Sequence, residues 1–131
     1  MVKFRKSERL CSRKSIGNLF VNGNSLIHYP FRVIWLDSGA ERPFPVKIAF
    51  SVPARRVKKA VDRNRIKRLI RESYRHNKNT LYESPLFLNR TIDIALIYVS
   101  GEIYEFDYIN TRLKELLTKF IREYEAVKDY L

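Results

Sequence analysis

Read by where its apolar residues fall, the chain divides into stretches of two different periods. From Ser12 onward, Ile16, Leu19 and Phe20 recur at helical spacing, Ser12 or Ser15 offers an oxygen to the first turn, and Gly23 marks a stop. The spacing predicts a short first helix ending near Asn22. The stretch "SLIHYPFRVIWL" is rich in β-branched and aromatic residues and predicts strand, with Pro30 at an edge or a bend. "DSGAERP", Asp37 to Pro43, has turn chemistry, and in "FPVKIAFSV" Val46, Ile48 and Phe50 alternate to one side. These two apolar stretches are expected to pair antiparallel.

Beyond Pro53 the period returns to that of a helix, from near Lys59 to near His76. "NKNTLYESPLFLNR", from Asn77 to Arg90 with Pro85 inside it, is expected to be a mobile loop. "TIDIALIYV", Thr91 to Val99, is apolar on both alternating sets from Ile94 onward, which suits a central strand covered on both faces. From about Glu105, Ile109, Leu113, Leu116, Leu117, Phe120, Ile121, Tyr124 and Val127 recur at three and four, a long amphipathic helix. Helix, strands, helix, strand and helix in that order describe an α+β sandwich with a small sheet. Residues 1–131 are expected to form one domain, with 1–11 a flexible basic arm.

Composition changes the picture in one respect. Apolar residues make up 45% of the chain, and eight Tyr, eight Phe and one Trp supply bulk for a core. Against that ordinary background stand 26 Lys plus Arg and 14 Asp plus Glu, a net charge of +12. Such an excess on a small domain points to a polyanion, nucleic acid before an anionic membrane surface, because cations that neutralise phosphates release condensed counterions. Cys11 is the sole cysteine, so no internal disulfide forms, and His28 and His76 stand apart from any zinc-ligand spacing. The start of the chain lacks an apolar signal region and no stretch is long enough to span a bilayer, so a cytoplasmic location is expected.

The charge concentrates in one place. Arg55 to Arg75 holds ten bases and two acids, Asp62 and Glu72. On a helical wheel Ile66, Leu69, Ile70, Ser73 and Tyr74 share a contiguous apolar arc that can pack on the sheet. Arg63, Lys67, Arg71 and Arg75 border that arc at intervals of four, and Arg65 and Arg68 lie on a second side. Like charges four apart destabilise an isolated helix by a few tenths of a kcal/mol per pair, so two basic faces call for two phosphate-bearing surfaces or one that wraps around. Asn64, a poor interior helix residue, can orient its guanidinium neighbours or reach a base edge or a 2′-hydroxyl.

"FSVPARRVKKAVDRNRIKRLIRESYR" resembles the signature of the protein subunit of bacterial ribonuclease P, whose core is "RNR", here Arg63 to Arg65, followed by Ile66, Lys67 and Arg68. "IGNLFVNG", Ile16 to Gly23, is similar to the family's first-helix segment, and Phe31 begins a family-like strand. The resemblance covers roughly residues 9–125, with Phe50 to Arg75 its specific part. It implies a two-layer α-β sandwich of order αβββαβα with a left-handed βαβ crossover, the fold of the second domain of ribosomal protein S5. It further implies an accessory role beside a catalytic RNA, one protein per RNA, in removing the 5′ leader of precursor tRNA.

Carried over by position, Arg63, Asn64, Arg65 and Arg68 would face the catalytic RNA, and Phe20, Lys67 and Arg71 would line a groove for the single-stranded leader. Arg55, Arg56, Lys58, Lys59 and Arg75 are further candidate RNA contacts. The chain departs from the family at Ile16 and Ile34, where aromatics are common, and at Ala49, Pro53, Ala54 and Lys58. Phe20 has two readings, a stacking platform for an unpaired base or core filling beside Ile16 and Leu19. Glu102, Glu105 and Asp107 are the one close carboxylate group and suit a helix N-terminus better than a two-metal nuclease site. The resemblance places Mg²⁺ in the RNA active site and leaves the protein alone inactive. The competing readings are a structural RNA-binding protein of ribosomal type, which needs the basic helix but no leader groove, and a self-sufficient metal nuclease.

Overall fold

A strand that is apolar on both alternating sets needs cover above and below. In the computed structural model, which describes residues 4–38, 44–85 and 90–129 (without the side chains of 127–129), the strand Ile92–Tyr98 is buried at every position except Asp93. It lies inside a four-stranded sheet. Numbered along the chain, the strands are β1 (Asn24–His28), β2 (Phe31–Asp37), β3 (Val46–Ser51) and β4 (Ile92–Tyr98), in the spatial order β1-β2-β4-β3. β4 is antiparallel to β2, with Ala95 opposite Ile34, and parallel to β3, with Ala95 beside Ala49.

This order corrects the expected antiparallel pairing of the two strand stretches that precede the basic helix. β2 and β3 are separated by β4, because the centre of the sheet goes to the strand that is apolar on both faces. "SLIHYPFRVIWL" instead folds on itself: Tyr29 and Pro30 turn the chain, and β1 pairs antiparallel with β2 from Asn24 opposite Trp35 to His28 opposite Phe31.

One face of the sheet carries Val33, Trp35, Ile48, Ile94 and Leu96 and is covered by α2 (Ala60–Asn77) and α4 (Phe106–Asp129). α4 buries Ile109, Leu113, Leu116, Leu117, Phe120 and Tyr124 as its spacing predicts, with Ile121 half-buried; the side chain of Val127 lies outside the described residues. The opposite face carries Ile34, Ala95 and Ile97, on which α1 (Arg13–Asn22) sets the fully buried Leu19. The α-β sandwich thus has α2 and α4 as its helical layer, and α1 adds a partial layer on the far side.

α1 begins where its cap predicts, the Ser12 hydroxyl accepting from the Ser15 N–H at 3.3 Å. It ends at Gly23, but the glycine is there for space and not for a left-handed turn. Its φ is −76°, and a Cβ would come within 2.5 Å of the Leu19 carbonyl oxygen and 2.7 Å of an Ile34 methyl.

The flexible arm expected at 1–11 is corrected over its described part. Lys6–Glu8 form a single 3-10 turn, the Leu10 N–H donates to the Ile48 carbonyl at 2.9 Å, and Phe4 packs edge-on against Phe50 and Tyr74. Glu8 is the reason: its carboxylate is buried against the Lys78 ammonium at 2.6 Å and accepts from the Tyr82 hydroxyl and, at 2.6 Å, from the Arg5 N–H. The loop expected from Asn77 to Arg90 is corrected too. α3 (Asn79–Tyr82) follows α2 directly and buries Leu81 completely; residues 86–89 lie outside the described residues.

Candidate nucleic-acid interface

α2 carries the charge because it is anchored first. Ile66, Ile70, Ser73 and Tyr74 are buried against the sheet and α4, and Leu69 is half-buried. Full burial of Ile66 and Ile70 contributes about 1.5–3 kcal/mol each before conformational entropy is counted. On the α4 side, Asn110 accepts from the Ser73 hydroxyl and from the Asn77 amide, each at 2.8 Å, a polar clamp near the end of α2. Asp62 in the first turn and Arg75 and His76 in the last complement the helix dipole.

The wheel describes the exposed side of α2 correctly. Asn64, Arg65 and Arg68 are exposed, and Lys67 and Arg71 are half-buried at the border of the packed arc. Arg65, Arg68, Leu69, Arg71 and Glu72 line an open groove along the helix. The Nε of Arg71 is covered and has no hydrogen-bond partner among the described residues. Arg55, Arg56, Lys58 and Lys59 stand exposed on the loop that leads into α2.

Two of the candidate cations are engaged. Arg63 directs one guanidinium nitrogen to the carbonyls of Val57 and Lys58, at 3.0 and 2.7 Å, and so fixes the loop before α2. Sequence reasoning missed this, since a side chain reaching back to main-chain carbonyls leaves no mark in composition. Arg75 is paired with Glu72 at 2.5 Å, and that guanidinium, joined by His76, holds the Glu72 carboxyl below the usual range.

Phe20 is 55% exposed, so the core-filling reading of this residue is set aside; Leu19 and the half-buried Ile16 do that work. Phe20 belongs to α1 and Lys67 and Arg71 to α2, and the two helices pack on opposite faces of the sheet. β3, the edge strand in contact with α2, lies between them and turns Lys47, Ala49 and Ser51 to the α1 side. On that face Ser51, Ile97, Arg32 and Ile27 are in cross-strand register, with Arg32 exposed and Ile27 61% exposed. Arg32 was missed although the alternation of "FRVIWLD" signals it, placing a cation on the face opposite Val33 and Trp35. Ile34, where the family often has an aromatic, is aliphatic and buried beneath α1, so it presents no surface to a ligand.

Glu102, Glu105 and Asp107 are exposed where β4 leads into α4, and among the described residues no three His, Cys, Asp or Glu gather as a metal site. Nor is any described helix long and apolar enough to cross a membrane.

The chain as a whole is similar to known proteins in sequence and in fold. The family model described as Ribonuclease P matches residues 4–121. The ribonuclease P protein component of Porphyromonas gingivalis is 34% identical over 114 residues, which cover 87% of this chain and 83% of that one. Among solved structures, the ribonuclease P protein of Thermotoga maritima superposes with a TM-score of 0.66 at 26% identity, covering 85% of this chain and 96% of that one. The Staphylococcus aureus protein gives a TM-score of 0.68 at 23% identity, covering 86% and 94%, a likeness of fold. The extent of these matches, and their agreement in both sequence and architecture, establish that the chain belongs to the ribonuclease P protein family.

Proposed function

We propose that this chain acts with a catalytic RNA subunit, one protein per RNA, to remove the 5′ leader of precursor tRNA. The bond-breaking chemistry and the Mg²⁺ it uses belong to the RNA; the protein supplies cations and a surface for the leader. The observation that carries this reading is α2, a rod anchored by Ile66, Ile70 and Tyr74 that holds Arg65 and Arg68 out toward solvent, with Lys67 and Arg71 half-buried at its border. Anchoring matters because ordering a long side chain and its backbone at the moment of binding would offset much of the phosphate attraction.

In this proposal Asn64, Arg65 and Arg68 meet the catalytic RNA, with Arg55, Arg56, Lys58 and Lys59 extending that contact. Arg63 positions the loop that bears them. The leader lies on the α1 face, where Phe20 stacks on an unpaired base for about 1–3 kcal/mol with little sequence preference. From there it passes over Ser51, at the end of β3 away from the Arg9–Ile48 bridge, to reach Lys67 and Arg71. Arg71 supports the assignment, since it is half-buried at the border of the packed arc, where its long side chain is held in place beside Lys67.

Cleavage of a precursor tRNA with and without the cognate RNA tests the proposal. The protein alone should give no product, and it should stimulate the RNA at low Mg²⁺. Lys67→Ala with Arg71→Ala should weaken precursor binding far more than mature tRNA binding. Arg65→Ala with Arg68→Ala should instead lower the slope of log affinity against log salt for the catalytic RNA, by about 0.7–0.9 per lost phosphate contact. Cleavage by protein alone would restore the nuclease reading, and a protein that binds RNA without stimulating cleavage would favour a structural role.

A further inference from the structure

The N-terminal segment carries charge that the reading above leaves unused. Residues 4–10 run along the outer edge of β3. Arg9 bridges to Ile48 in parallel register, the Leu10 N–H bonds the Ile48 carbonyl, and Phe4 meets the Phe50 and Tyr74 rings at 5.6 and 5.4 Å. Glu8 closes the attachment through Lys78 and Tyr82, just beyond the end of α2. A stretch whose composition suggests a mobile arm is therefore fixed at a strand edge.

What is fixed is basic. Arg5, Lys6, Arg9, Arg13 and Lys14 are all exposed, and the acid among them, Glu8, is fully buried with Lys78 as its counterion. Arg9 lies over the Phe4 ring at 5.4 Å, which holds its guanidinium in place while leaving it exposed. Arg13 and Lys14 open α1, whose first turn has no acid, although a helix N-terminus favours negative charge. A bound anion reverses that disadvantage.

Resting on the function proposed above, we infer that this strap is a preformed phosphate-binding surface for the catalytic RNA, continuing the outer contact of α2 around the β3 edge. The leader groove lies on the α1 face, whereas the strap lies along the sheet edge and is tied to the last turns of α2 through Tyr74 and Lys78. A partner that reaches both α2 and the strap must extend well beyond a single strand, as a large folded RNA does. Because the strap is docked beforehand, its phosphate contacts form without the ordering that a loose arm would have to undergo.

The test compares two triple variants of equal charge. Arg5→Gln/Lys6→Gln/Arg9→Gln removes three strap cations, and Lys114→Gln/Lys119→Gln/Arg122→Gln removes three exposed ones from α4. Binding to the catalytic RNA is measured across a salt series, with thermal melts confirming that both variants fold. The strap variant should lower the log–log salt slope by about two to three, and the α4 variant by far less. Equal slopes for the two variants would overturn the inference while leaving the parent function intact. So would a loss confined to precursor tRNA binding by the assembled particle. A wild-type protein that fails to bind the RNA at all would overturn both.

Discussion

Replacing Glu8 by Gln tests what holds the N-terminal segment in place. The two side chains of the Glu8–Lys78 pair are 1% and 7% exposed, and their charged atoms are 2.6 Å apart. Taking away one partner of a buried pair costs about 3–5 kcal/mol. The fold has a second route, in which the segment undocks and the Lys78 ammonium reaches water. That route forfeits the burial of Leu10, about 1.5–3 kcal/mol, and its backbone bond to Ile48, about 0.5–1.5 kcal/mol. It also forfeits the edge contacts of Phe4, about 0.5–1.5 kcal/mol per ring pair. The second route totals about 3–7 kcal/mol, so the first sets the loss at about 3–5 kcal/mol, or roughly 10–15 °C in melting temperature for a chain of this size.

A double-mutant cycle isolates the pair. Glu8→Gln with Lys78→Met removes both charges and should recover most of the loss, giving a coupling of about 2–3 kcal/mol in urea or thermal melts. The pH dependence follows from the same residue. Burial pushes the Glu8 carboxyl up, but the Arg5 N–H, the Lys78 ammonium and the Tyr82 hydroxyl outweigh it and leave its pKa below the ordinary 4.5. A carboxyl whose pKa is lowered by folding stabilises the native state above its unfolded value, and that contribution disappears as the pH falls from about 4.5 through the lower folded value. The wild type should therefore lose stability in this acid window, and Glu8→Gln should not show that component. Additive single effects, together with coincident acid profiles for wild type and variant, would refute the lock.

Two further expectations concern the elements that frame the interface. Gly23→Ala brings a methyl group against the Leu19 carbonyl oxygen and the Ile34 side chain, so it should cost about 1–3 kcal/mol in urea denaturation, whereas an unchanged midpoint would show that α1 shifts freely. Asn110→Ala withdraws the acceptor shared by Ser73 and Asn77 and should cost about 1–3 kcal/mol in thermal melts; no loss would mean that the clamp adds nothing to the docking of α2 on α4.

The elements were legible because their signals are local. Ser12 and Gly23 bound α1, the alternation of Val46, Ile48 and Phe50 shows the buried side of β3, and the three-and-four spacing from Ile109 to Tyr124 maps the packed face of α4. The pairing of β2 with β4 was not legible, since the register of Ile34 with Ala95 is decided by competition for the middle of the sheet between strands far apart in sequence. The same holds for Glu8. A lone acid in "FRKSERL" looks like dilution of a basic tail, and only the folded chain brings Lys78 and Tyr82 to it.

That difference explains why the candidate interface was easier to read than the core beneath it. A surface for a polyanion is specified by what it lacks, acids among the bases, and ten bases with two acids between Arg55 and Arg75 state this directly. Which cations are available is a question of structure. Arg63 is spent on the carbonyls of Val57 and Lys58 and Arg75 on Glu72, while Arg65 and Arg68 stay exposed. An arginine can serve RNA indirectly, by fixing the loop on which Arg55, Arg56, Lys58 and Lys59 stand. The "RNR" run therefore joins two kinds of work in three residues: Arg63 shapes the protein, and Asn64 and Arg65 face outward from the shape it makes.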